Sequence, residues 1–418
     1  MTDYLRFIGR HWALLGFGFT TVFWGNFGQS FFVAWFGAEI QQSLGLSASS
    51  YGSAYSLATL GAAITVVWAG SLIDRVSLRR YSLVISAGLA LALLVLSQAV
   101  GLLSLILGFF LLRLFGQSLL PHTGMTAMSR YFTDGRGKAL SLAMSGVPVG
   151  EIVLPAAAVA LIAVIGWQST LQVIAVGVLL VLIPLIILLL SAAGLSGAKA
   201  KQDREAAQAS AQTAEGGSRR DVLKDYRFWL ALGGLMANPF LITGVFIHQN
   251  FLVDSKGWSM SWLATSFIVY GAVHWVSSLV AGSLVDRFKG VRLMPYYLLP
   301  LLACMLVAAF VDGQWVAPLM MALLGMAAGS SPPINGSMWP EIYGTRNLGA
   351  IRAMNMSIMV MATSVSPVLF GYFIDRGVSA AWLYGSCALY VLIALVMMIL
   401  SYPSNSKPLT PERRTGDL

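Results

Sequence analysis

Two strong charges stand deep inside apolar stretches of this 418-residue sequence, Arg113 and Glu151. A charge in hydrocarbon is costly, so it is paired, faces water or serves a function. At the helical rise per residue, Arg113 lies about 16 Å into its apolar run and Glu151 roughly 18 Å into the next. Both therefore end near the middle of a hydrocarbon core about 30 Å thick. The two runs are consecutive and antiparallel, so an Arg113–Glu151 ion pair is the expected arrangement. An anionic solute that takes Arg113 would leave Glu151 without its partner. Glu151 would then bind a proton, and charge would be nearly balanced for a crossing. A purely structural salt bridge is the other reading of the same pair.

Further polar groups recur at helical spacing. Asn26, Gln29 and Ser30 share one stretch, and Gln117 lies one turn beyond Arg113. Tyr270, His274 and Ser277 line up, as do Ser331 and Asn335. Each group either lines a central cavity or acts as glue between helices. His274 stands out because imidazole titrates near neutral pH and can hold an anion or a proton. His122 and His248 fall near the ends of apolar runs, where interfacial water is expected. Cys304 and Cys387 both lie within apolar runs and read as small buried hydrophobes. Pro148, Pro155, Pro239, Pro332, Pro333 and Pro367 fall inside or at the ends of helices, as sites of bending or static kinks. There is no His-Glu-x-x-His, Gly-x-Ser-x-Gly or Gly-x-x-x-x-Gly-Lys-Ser/Thr pattern. No catalytic residue, metal site or cofactor is expected, and an intramembrane enzyme is a remote alternative.

The elements that must position these residues follow from composition. Hydrophobic residues make up 57% of the chain and charged residues 10%, against roughly 25% charged in a soluble domain. Mean hydropathy is +0.76. Such a chain has too little polar surface to cover itself in water. Its long unbroken apolar runs also exclude an outer-membrane barrel. An all-α membrane protein remains. Twelve candidate spans occur, at 12–38, 51–73, 81–100, 102–128, 139–164, 168–192, 228–252, 259–284, 291–311, 315–339, 349–374 and 380–402. The first is too long and too polar for a cleavable leader. Trp12, Trp258 and Trp382 sit near span ends and read as interface anchors.

The net charge of +9 marks loops, not a nucleic-acid partner. Arg6 and Arg10, Arg75 to Arg80, Arg130 to Lys138, the central basic segment, Arg287 to Arg292, Arg346, Arg352 and the tail all fall on one side. Lys256 and Arg376 alone fall on the other. The positive-inside rule then places both termini in the cytoplasm, and the expected location is a bacterial inner membrane.

The chain also repeats itself. Ala69-Gly70-Ser71-Leu72-Ile73-Asp74-Arg75 returns as Ala281-Gly282-Ser283-Leu284-Val285-Asp286-Arg287, an offset of 212. The same ungapped offset pairs Asn26 with Asn238, Gly45 with Gly257, Ser47 with Ser259, Gly124 with Gly336 and Pro155 with Pro367. Two pseudo-symmetric six-helix bundles of the same hand follow. The expected boundaries are 1–193, a cytoplasmic linker at 194–227, 228–403, and a tail at 404–418. Arg113 and Glu151 have Gly325 and Thr363 as repeat partners, so the symmetry breaks where charge is most costly.

With Gly70, Asp74, Arg75, Arg79 and Arg80 after the second span, and a second copy at Gly282, Asp286, Arg287 and Arg292, the chain resembles the major facilitator superfamily. The resemblance implies secondary transport by alternating access, with a solute held between the halves. It implies a cytoplasmic gating latch at Gly70, Asp74, Arg75, Asp286 and Arg287. Arg113 resembles the fourth-helix arginine implicated there in proton coupling.

Arg130-Tyr131-Phe132, Arg136-Gly137-Lys138, Gly146 and Gly150 are similar, more weakly, to the monocarboxylate and oxalate branch. Those carriers have an Asp and an Arg in the eighth helix where His274 and Ser278 stand here, so an anion would fall to Arg113 or His274. The expected function is proton-coupled symport of a small carboxylate-type anion. Substrate binding is assigned to Arg113, Gln117, Asn26, Gln29, Ser30, Tyr270, His274 and Asn335, and proton coupling to Glu151, Arg113 and His274. The alternatives are proton-driven efflux of an amphipathic compound and transport of a neutral polar metabolite. The expected partners are the solute, the proton and the lipid bilayer, with no nucleic acid, and the chain is expected to be a monomer.

Overall fold

A computed structural model describes residues 2–132, 135–195, 219–343 and 348–402. Most of the expected linker at 194–227 and the tail at 404–418 lie outside them. Within the described residues the chain is helical with no strand, an all-α membrane protein with nine helices long and apolar enough to cross a membrane and a shorter apolar helix at Tyr296–Phe310. The helices are α1 (Thr2–Gly25), α2 (Ala48–Ser71), α3 (Leu78–Ser97), α4 (Leu102–Tyr131), α5 and α6 (136–165 and 167–192), and α7 (Tyr226–Ile247). They continue as α8 (Met260–Phe288), α9 (Leu299–Phe310), α10 (Val316–Tyr343), α11 (Leu348–Asp375) and α12 (Ala380–Ser401).

Three elements depart from simple apolar rods. The first expected span, 12–38, is broken: after Gly25 the chain makes a 3₁₀ turn at Asn26–Gly28, passes through an extended Gln29 with ψ 151°, and restarts at Ser30. The α5–α6 run Arg136–Ala192 is 57 residues long and divides at Gly166, whose φ of 77° suits glycine and little else. In α4, residues Arg113–Leu119 form a π-helical segment, a widening of the helix wall often found at functional sites.

The repeat is visible as a repeated turn. Gly45 and Gly257 both end a helix in the left-handed region, at φ 62°. Two residues later Ser47 and Ser259 cap the next helix, accepting from the Ser50 and Trp262 N–H groups. A left-handed glycine followed by a serine cap is a compact way to reverse a helix.

By contacts the chain divides into two compact units that cut across the sequence repeat. One comprises 1–211, 243–271 and 364–377; the other comprises 212–242, 272–363 and 378–418. In the first, α1 packs on α4, α2 on α4, and α3 on α4 and α6. Small residues allow this closeness. A Cβ on Gly124 would meet the Gly18 carbonyl oxygen at 2.9 Å, and one on Gly146 would meet the Phe19 carbonyl oxygen at 2.9 Å. In the second unit, α9 packs on α10 and α12.

Asp225, at the mouth of α7, ties that unit's ends together. It accepts from Arg227 Nε at 3.0 Å and from the Tyr343 hydroxyl at 3.0 Å, and the Tyr343 and Tyr402 hydroxyls bond at 2.7 Å. Burial pushes the Asp225 carboxyl up, but the bonds from Arg227 and Tyr343 outweigh it and hold the group below the ordinary carboxylate value. Large apolar side chains such as Val67, Trp68, Val84, Leu103 and Leu180 remain exposed, the face such helices offer to lipid. Trp12 and Trp382 share that exposure, but Trp258 is 6% exposed and belongs to the core, contrary to the expected anchor.

Candidate functional site

The break in the α1 segment and the π-helical part of α4 are packed against each other. A Cβ on Gly28 would overlap the Gln117 amide nitrogen and lie 2.5 Å from the Leu112 carbonyl oxygen, and one on Gly116 would lie 2.9 Å from Gly28 Cα. Two irregular backbones thus meet at two glycines. The broken helix leaves the Gly28 carbonyl outside the helical ladder, and Arg113 Nη1 donates to it at 3.3 Å. The guanidinium carbon stands 4.9 Å from the centre of the Tyr55 ring, within cation–π range. Arg113 is 3% exposed, and its Nε has no hydrogen-bond partner.

The expected ion pair is not formed. The contacts of Arg113 are the Gly28 carbonyl and the Tyr55 ring. Glu151, also buried at 4% exposed, interacts electrostatically with Tyr270 instead. The cause is rotation about α5. Gly150 faces α1, where a Cβ would overlap the Asn26 side chain, while the Pro148 carbonyl and Ile152 face Gly271 of α8. Glu151 lies on this second flank. Depth along a helix was readable from sequence, but azimuth was not.

The other expected site residues are distributed more widely. Ser30 approaches the Tyr55 hydroxyl and so joins the Arg113 cluster. Gln29 and Gln117 are half-buried beside it. Asn26 is structural in its visible bond, donating to the Gly146 carbonyl at 2.9 Å, although its Oδ1 is buried without a partner. Tyr270 belongs to the unit of Arg113, whereas His274 belongs to the other, where its backbone carbonyl lies against Gly329. Asn335, in that second unit, donates to Ser331 Oγ at 3.0 Å. His122 is exposed as expected. His248 is not: it is 3% exposed and donates from Nε2 to the Pro367 carbonyl at 2.8 Å, because Gly52 leaves room for its ring.

Residues 15–320 match the Major Facilitator Superfamily. The chain belongs to this superfamily. It is a secondary transporter, an integral membrane protein and not an enzyme. A bacterial homologue of the human lysosomal transporter Spinster, in an inward-facing and occupied conformation, is similar at a TM-score of 0.69 and 14% identity, over 94% of this chain and 96% of that one. A mutant of the nucleoside transporter NupG is similar at a TM-score of 0.71 and 12% identity, over 93% of this chain and 100% of that one. At these identities the likeness speaks for fold alone. No curated protein matches the sequence.

The motif after α2 is built around a residue outside the expected latch. Arg130, at the end of α4, donates from Nη2 to Asp74 Oδ1 at 2.5 Å and ties the α2–α3 turn to α4. Gly70 is buried beside His122. Arg75, Asp286 and Arg287 are exposed; the Arg287 guanidinium lies over the Phe288 ring, and Asp286 has no ion-pair partner among the described residues. In the second half a carboxylate performs the tie: Glu341 accepts from the Gly290 and Val291 N–H groups at 2.9 and 3.2 Å. Tyr55 and Glu341 were not among the expected residues. The signal for the first was the run Tyr51, Tyr55, Thr59 along one face of the second span; for Glu341, in a Trp-Pro-Glu stretch, there was none.

Proposed function

We propose that this facilitator carries a small organic anion of the carboxylate type together with a proton, by alternating access. The observation that carries the reading is the Arg113 guanidinium. It is buried, its contacts are one carbonyl and one aromatic ring, and no carboxylate among the described residues pairs with it. A buried cation left uncompensated is costly, and an incoming carboxylate supplies the missing charge and planar hydrogen bonding. Tyr55 and Ser30 would orient the anion, with Gln29 and Gln117 beside them. Glu151, separate from Arg113, would carry the proton next to Tyr270. Asp74 with Arg130 would latch the cytoplasmic end. In this reading the halves are 1–193 and 228–403, joined by a linker at 194–227, and the chain is a monomer in a bacterial inner membrane with both termini in the cytoplasm.

The test is uptake into proteoliposomes with a panel of monocarboxylates and dicarboxylates and an imposed pH gradient. An inward proton gradient should stimulate uptake of a carboxylate, and Arg113→Ala should abolish it. Glu151→Gln should retain exchange but lose accumulation against a gradient. Extrusion of a lipophilic cation in the same vesicles, with no carboxylate flux, would replace this reading with proton-driven efflux.

A further inference from the structure

A second polar cluster lies away from Arg113, at the end of the helices opposite the arginine-rich connections. There Asp375, the last residue of α11, closes on the first turn of α2. Its Oδ1 accepts from the Ala48 N–H at 2.9 Å and its Oδ2 from the Ser49 N–H at 2.9 Å, and the Ser49 hydroxyl also donates to Oδ2. The first N–H groups of a helix have no partner within it, and a carboxylate placed there satisfies them and meets the positive end of the helix dipole. Beneath the carboxylate, two glycines bring backbones together. A Cβ on Gly371 would stand 2.5 Å from the Ala48 carbonyl oxygen and 2.7 Å from Ser49 Cα, and one on Gly52 would overlap the Pro367 carbonyl. His248 donates to that same carbonyl, so the segment after α7 joins the seam.

Just beyond His248, polar groups are buried without hydrogen bonds. Gln249 is 1% exposed, and neither its Oε1 nor its Nε2 has a partner. The Asn250 amide atoms and the Tyr51 hydroxyl are likewise buried and unpaired. The last two surround Gly37, whose Cβ would lie 3.2 Å from Tyr51 Oη and 3.5 Å from Asn250 Nδ2. Each of these groups forgoes the hydrogen bonds that water would give it. A seam that never opened would be more stable with apolar residues in their place. A seam that opens hydrates them in its other state. Two opposed sets of forces therefore act on it: the Asp375 bonds and the glycine contacts hold it shut, and the unpaired amides and phenol favour opening.

We propose that Asp375 is the catch of an outer gate made by α2, α11 and the segment after His248, and that Gln249, Asn250 and Tyr51 form the wet wall of the vestibule when the catch releases. Asp375 acts as a positioning residue, through α2. The inference requires alternating access and is independent of which solute is carried.

The test is maleimide labelling of Gln249→Cys in reconstituted protein. The native Cys304 and Cys387 are buried, so background is low and is read from the unsubstituted chain. Adding Asp375→Asn should raise the labelling rate about ten-fold or more, the population shift that follows loss of charge-assisted bonds on one side of an equilibrium. Asp375→Glu should restore slow labelling in part. Gly52→Ala, a wedge in the seam, should also raise the rate, and Ser49→Ala should raise it by a smaller factor if Asp375→Asn does not fold. A residue of merely structural importance would lower thermal stability without changing labelling. Unchanged labelling in folded Asp375→Asn, or in Gly52→Ala and Ser49→Ala together, overturns the proposal.

Discussion

The two halves of the chain share turns but not contacts. Gly45 and Gly257 adopt the same left-handed geometry, and the serines that follow cap the same way. Away from those turns the correspondence fails. Asn26 donates to the Gly146 carbonyl of α5, whereas its repeat partner Asn238 donates to the Ala327 carbonyl of α10. Asp74 has Arg130; Asp286 has Ile342 at the corresponding position, and Glu341 bonds backbone N–H groups instead. Arg113 sits in a π-helical segment, while Gly325 lies in an α-helix that runs from Val316 to Tyr343. Duplication preserves what the backbone requires, and side-chain chemistry then diverges within the shared frame.

The largest test of that asymmetry is at Arg113. Arg113→Ala should reduce carboxylate uptake by about 100-fold or more, the scale of lost charge-assisted bonds, and a compensating Gly325→Arg in the same protein should not restore it. Recovery would mean that the two halves are interchangeable at the site. Arg113→Lys should also fail, since an ammonium lacks the planar fork.

The glycine pair at 124 and 336 is the next test. A Cβ at Gly124 would overlap Thr21 Oγ1 and crowd Gly18, whereas one at Gly336 meets nothing within 4 Å among the described residues. Gly124→Ala should cost about 1–3 kcal/mol of stability. Gly336→Ala should be neutral or gain up to about 1 kcal/mol from helix propensity. Thermal melts in detergent decide between them, and equal losses would restore the symmetry denied here.

The ties at Asp74 and Glu341 should differ by less. The Asp74 side chain is 62% exposed, so Asp74→Asn should cost no more than about 1 kcal/mol, as surface ion pairs do. Glu341→Ala removes the acceptor of two backbone N–H groups and should cost about 1–3 kcal/mol. A larger loss at Asp74 would reverse the ranking.

The smallest effect is expected at Asp225. Its carboxyl is held below the ordinary value, so its contribution to stability is complete above the unfolded pKa of about 3.9. That contribution is lost as pH falls through the lower, folded value. A melt series below pH 4 should show this loss in the wild type and not in Asp225→Asn.

Legibility in the sequence followed the same division. Apolar runs, the 212-residue offset and the turn residues were readable because they depend on composition and on local backbone preference. The depth of Arg113 and Glu151 was readable because it is a count of residues. Their partners were not. Whether two deep side chains meet depends on azimuth, and here azimuth is set by a break at Gln29 and a π-helical segment at 113–119 that leave no periodic trace. Trp258 and His248 were misplaced for a related reason: each lies near a span end by count, yet neighbouring small residues or turns bury it. Asp375 was invisible because its role depends on the first turn of a helix more than three hundred residues earlier in the chain.

The π-helical stretch of α4 couples two distant places. An extra residue in a helix wall offsets everything beyond it by one step of rotation, about 100°. Arg113 lies at the start of that stretch, and Arg130, bound to Asp74, lies eleven residues past its end. If the irregularity were absorbed into regular winding, the far end would swivel relative to the near one, and Arg130 would be carried away from Asp74. A rewinding beside the deep guanidinium would thereby turn the Asp74 end of α4 as a single screw.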